Sequence, residues 1–109
     1  MTTTRRLLLL VAATAATALY GADAPASWGE HCAKCHGDDG KGDTKMGHKL
    51  NIGDFTDAAV QAKFTDEQAA KAIKTGLTDD KGKMRMKAIE GLSDDQVKAL
   101  VTHVRSLKK

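Results

Sequence analysis

The chain has 109 residues, of which 41% are hydrophobic and 4% aromatic, and its formal net charge is +3. That length supports one small domain with a modest buried fraction. A nearly neutral chain so poor in rings lacks the basic stripe and stacking surface of a nucleic-acid binder.

The chain opens on Arg5-Arg6, an apolar, alanine-rich run from Leu7 to Leu19, and small residues at cleavage spacing in Ala22-Asp23-Ala24. This order reads as a secretory signal peptide over residues 1–24, cut between Ala22 and Ala26. The run is too short for the roughly 20 residues of a spanning helix, so no membrane anchor is expected after cleavage. No cysteine accompanies the run, so lipid attachment is not expected either. The remaining domain, 25–109, keeps 15 basic and 13 acidic residues, and its aromatics are Trp28, Phe55 and Phe64. So small a core needs a staple, and the residues left to supply one are Cys32 and Cys35.

Ser27 with Glu30 predicts a capping box, opening a helix with Trp28, Cys32 and Cys35 along one face and Gly37 as its stop. Residues 37–53, rich in glycine, aspartate and lysine, predict a loop. A short helical stretch follows between Phe55 and Phe64, capped by Asp54 or Thr56. Thr65 with Gln68 opens a helix through Ala69, Ile73 and Leu77, with Gly76 near its end. Thr78 to Lys87 reads as a polar loop carrying Met84 and Met86. Ser93 with Gln96 opens the last helix, where Val97, Leu100, Val101, Val104 and Leu107 recur at i, i+3, i+4, i+7 and i+10. That stripe is expected to pack on the first helix. No strand-like alternation occurs, so the expected class is all-α, about four short helices.

The segment Cys32-Ala33-Lys34-Cys35-His36 has the form C-x-x-C-H, which in an exported chain is the attachment site of c-type haem. Residues three and four apart share a helix face, so two thiols and an imidazole can address one flat ligand. Cys32 and Cys35 would become thioethers to the haem vinyl groups, and His36 the proximal iron ligand. A disulfide, a thioredoxin-like pair and a zinc site are the rivals. The second lacks its βαβ context, and His48 and His103 do not complete a zinc set. One covalently bound haem c would also replace the missing aromatic core.

The sixth iron position decides the function, because a thioether there makes a closed, high-potential carrier and an open place admits ligand chemistry. Met46 and His48 stand in the loop just after the motif. His103 reads as a boundary residue, and His31 is too close to Cys32 to reach the far face. Met84 and Met86 follow enough chain to come round to the other side.

These residues resemble the class I monohaem c-type cytochromes, small soluble bacterial electron carriers. The likeness rests on Cys32-Ala33-Lys34-Cys35-His36-Gly37, on Asp39-Gly40-Lys41-Gly42-Asp43, on Asp54-Phe55-Thr56-Asp57, and on a methionine loop leading into Leu92-Ser93-Asp94-Asp95. The resemblance implies a helical fold wrapped around the haem, with His36 proximal and a methionine distal. Met86-Lys87-Ala88-Ile89 fits the ligand frame better than Met84-Arg85-Met86-Lys87, and Met86 is also tethered more closely to Ser93. Met86 is therefore the expected ligand, with Met84 the second choice.

The function expected is electron transfer in the periplasm by a monomeric carrier, not an enzyme. The alternatives are a haem subunit of a larger complex, or a sensor or peroxidase-type protein with an exchangeable distal ligand. The partners expected are redox proteins, acidic ones docking at the Lys81–Lys87 loop through Lys81, Lys83, Arg85 and Lys87.

Overall fold

Capping residues and one apolar stripe account for the two longest helices. The computed structural model describes residues 24–109, so the signal-peptide reading falls, Ala24 apart, outside the described residues. The elements run α1 (Ala24–His31), α2 (Ala33–His36), α3 (Lys45–Leu50), α4 (Ala58–Gln61), α5 (Asp66–Thr75), β1 (Leu77–Thr78), β2 (Met84–Met86) and α6 (Asp94–Ser106).

Helix α6 begins where expected, with the Ser93 hydroxyl accepting from the Gln96 amide at 3.1 Å and the Gln96 side chain accepting from the Ser93 amide at 2.7 Å. Val97, Leu100, Val101 and Val104 of its stripe are buried, Leu100 most completely at 1% exposed, while Leu107 is half-buried just past the helix end, and α6 packs on both α1 and α5. Helix α5 carries the second reciprocal cap, Thr65 with Gln68. Together with Trp28 and Cys32, Ile73 of α5 and the stripe of α6 form one core cluster. Stripping a side chain such as Leu100 from that cluster costs about 2–5 kcal/mol.

The helical class is as expected, but there are six helices among the described residues where four were anticipated, and several boundaries differ. Ser27 is inside α1 rather than at its cap, since the described helix runs from Ala24 to His31. The stretch after the haem motif is not all loop. Thr44 accepts from the Gly47 amide and caps α3, and Asn51 closes it in the left-handed conformation at φ 53°. The helix before Phe64 is capped by Asp57, not by Asp54 or Thr56. Helix α5 ends at Thr75, and Leu77 belongs to β1, 49% exposed. Finally, the anticipated methionine loop is a small antiparallel hairpin, with Leu77 opposite Met86 and Thr78 opposite Met84. Asp79 makes its turn, accepting from the amides of Lys81 and Lys83.

Candidate functional site

The C-x-x-C-H segment forms a tight helical turn, with the amides of Cys35 and His36 both donating to the Cys32 carbonyl at 3.2 and 3.0 Å. This puts Cys32, Cys35 and His36 on adjoining positions of one face. Neither cysteine is in a disulfide; Cys32 is buried and Cys35 half-buried. The carbonyls that follow are all engaged. Thr44 Oγ1 donates to the Cys35 carbonyl at 2.6 Å, the Gly42 amide to the His36 carbonyl at 2.7 Å, and the Trp28 indole to the Gly37 carbonyl at 2.9 Å. Thr44 thus serves twice, as helix cap and as fastener of the motif. Gly47 completes the joint, since a Cβ there would stand 2.1 Å from the Gly42 carbonyl oxygen and 2.8 Å from that of Cys35.

Beside this turn lies a cavity of about 570 Å³, walled by Trp28, Cys32 and His36 on one side and by Ile73, Leu77 and Met86 on another. Its volume is in the roughly 300–1,000 Å³ range of cofactor and ligand sites. The His36 ring stacks on Phe55 with centroids 4.9 Å apart and planes 18° off parallel, and Trp28 approaches it at 5.5 Å. Burial holds the His36 imidazole below its ordinary pKa, which keeps it neutral, the form that offers a lone pair to a metal. Its Nδ1 is buried with no hydrogen-bond partner among the described residues. Burial, and then the neighbouring Cys35, push the Cys32 thiol up to about 11.

Met86 lines the same cavity and is half-buried. Met84, two residues away, is 61% exposed and outside the lining. Met46 and His48 stand on α3 and take no part in the lining either; His48 pairs instead with Asp43 at 2.7 Å. His103 is half-buried against Trp28, centroids 5.2 Å apart. The structure therefore brings Cys32, His36 and Met86 to one cavity, with Cys35 one helical turn along from Cys32.

Gly76 is expected from the sequence only as a helix end, but it does more. At φ 78°, a Cβ would lie 2.6 Å from the Met86 carbonyl oxygen, so glycine lets the end of α5 abut the strand that carries Met86. An apolar cavity, a thiol in its wall, a neutral imidazole and a thioether together fit a haem.

A family model described as Cytochrome c matches residues 16–108. The solved structure of the KustC0563 c-type cytochrome superposes with a TM-score of 0.67 at 36% identity, covering 80% of this chain and 99% of that one. A mutant form of that protein superposes at 0.64 with 36% identity, covering 79% and 99%. No curated protein matches the chain.

Proposed function

This chain belongs to the cytochrome c family, and on that premise we propose that it is an exported periplasmic carrier whose haem iron is held by His36 and Met86. Membership brings a covalently bound haem c, the small helical fold and haem-based electron transfer. In the proposed site Cys32 and Cys35 form the thioethers, His36 gives the proximal imidazole and Met86 the distal thioether. When bound, the haem supplies one-electron chemistry through its iron, whose potential its ligands and surroundings tune.

One observation carries the ligand choice: Met86 shares a cavity wall with Cys32 and His36, while Met84 lies exposed outside it. The described lining contains no carboxylate, and its one imidazole is His36. It therefore offers little to the acid–base work of a peroxidase-type site. Most of its other side chains are apolar, which favours a closed site. The periplasmic placement rests on the signal-like segment Arg5 to Ala24, and no helix among the described residues is long and apolar enough to cross a membrane.

The docking surface we propose is narrower than the sequence suggests. Arg85 is half-buried and donates to the Leu50 carbonyl, leaving Lys81, Lys83 and Lys87 as the exposed cations of the hairpin. They suit an acidic redox partner.

Carbon monoxide added to the reduced protein tests the carrier reading. The wild type and Met84→Ala are expected to resist it, and Met86→Ala to bind it and lose the sulfur-to-iron charge-transfer band when oxidised. Uptake by the wild type would favour the exchangeable-ligand alternative. Opening by Met84→Ala would transfer the ligand role to Met84.

A further inference from the structure

Behind the aromatic wall of the cavity lies a polar network that the ligand scheme does not use. Arg105 of α6 donates through Nη1 to both the backbone carbonyl and Oε1 of Gln61, at 2.6 and 2.9 Å, and through Nη2 to the Phe64 carbonyl at 2.8 Å. Its guanidinium carbon lies 4.4 Å from the Phe64 ring centroid, and its Nε reaches the exposed Asp66 carboxylate at 2.8 Å. Gln61 is buried, and its amide donates to the carbonyls of Phe55 and Val104 at 2.8 and 2.7 Å. A buried amide with both functions satisfied fixes its neighbours, because breaking any one bond strands a desolvated polar group.

The bonds converge on Phe55, the ring stacked on His36. Its amide donates to Gly40 at 2.9 Å, its carbonyl accepts from Gln61, and its ring meets Phe64 edge-on at 5.9 Å. Phe64 is itself held by Arg105 through carbonyl and ring. We propose that Arg105 and Gln61 are positioning residues that set the plane of the His36 imidazole through Phe55, and with it the reduction equilibrium of the site. This rests on His36 being the proximal ligand. The chain of contact runs from the last helix to the ligand with no residue of the motif between.

The test is made on the oxidised holoprotein by proton NMR, where the hyperfine shifts of the haem methyls report the plane of an axial imidazole. Gln61→Met keeps the volume and removes both donations. It is expected to change the order or spread of the methyl shifts and to alter the one-electron equilibrium about threefold, roughly 28 mV at 59 mV per tenfold. Asp66→Asn removes only the charge of the exposed arm and is expected to leave both unchanged. Arg105→Lys, which keeps the charge and loses the fork, is expected to repeat the Gln61→Met pattern and serves if that variant does not take up haem. Unchanged methyl shifts and potential in these variants overturn the clamp, as does an equal change in Asp66→Asn. A wild type without a low-spin histidine–methionine signature would instead overturn the ligation on which the clamp rests.

Discussion

The histidine wall of the cavity is helical and fastened at every turn, whereas the methionine wall is a hairpin with strands of two and three residues. On the first wall the carbonyls of Cys35, His36 and Gly37 each accept a bond from a residue six to nine positions away, and His36 is stacked on Phe55 with Trp28 tilted against its ring. On the second, Met84 stands 61% exposed. Beyond its own pairing, that hairpin is tied by Arg85 to the Leu50 carbonyl and by the Ile89 amide to the Ile73 carbonyl at 2.8 Å. Local opening follows the density of buried contacts. The difference predicts that the proposed proximal ligand is held fast by the bonded motif, while the proposed distal ligand rides on a segment that opens first.

The largest effect should come from the side of the motif. With Cys32 and Cys35 both replaced by alanine, haem is expected to leave on acid–acetone extraction, and far-UV circular dichroism to show little folded protein. Haem retained after extraction from the double variant would show that no thioether was holding it.

Two glycines sharpen the comparison at intermediate size. Gly47→Ala drives a methyl group into two backbone carbonyls of the histidine wall and should cost about 3 kcal/mol or more in denaturant unfolding. Gly76→Ala meets the Met86 carbonyl from a φ of 78° and a ψ of 179°, a conformation essentially reserved for glycine that alone costs roughly 1–3 kcal/mol. Its first consequence is expected to be loss of the sulfur-to-iron band with helix content kept. If both variants lose band and helix together, the two walls are equally cooperative.

The smallest effect belongs to the surface of the hairpin. Neutralising Lys81, Lys83 and Lys87 should leave stability unchanged and flatten the salt dependence of electron transfer to an acidic partner, since rim charges act mainly on association and are screened beyond about 8–10 Å. An unaltered slope in stopped-flow measurements would remove the hairpin from the docking surface.

Much of this division is legible in the residues themselves. Both reciprocal caps, Thr65 with Gln68 and Ser93 with Gln96, and the stripe of α6 are local patterns, and local patterns survive folding unchanged. The C-x-x-C-H turn is likewise local, so its residues can be named from their spacing alone. Choosing Met86 over Met84 needs more, because both lie in one short segment and only the packing of the hairpin shows which lines the cavity. Helix α3 is hidden in the sequence because its cap, Thr44, lies in a run of glycines and charges that reads as loop, and Ser27 misleads because a serine three residues before a glutamate reads the same inside a helix as at its cap. Strands of two and three residues leave no periodicity to detect. Gln61 and Arg105, 44 residues apart in the chain, form a contact that no local pattern announces.

The contrast between the walls is tested most directly by denaturing the oxidised protein while following two signals, the sulfur-to-iron band and the far-UV helix signal. The band is expected to disappear at lower denaturant than the helices, with the covalently held haem still bound by histidine in between. Coincident loss of the two signals, or a native protein that shows no such band, would contradict a fixed histidine wall facing a releasable methionine one.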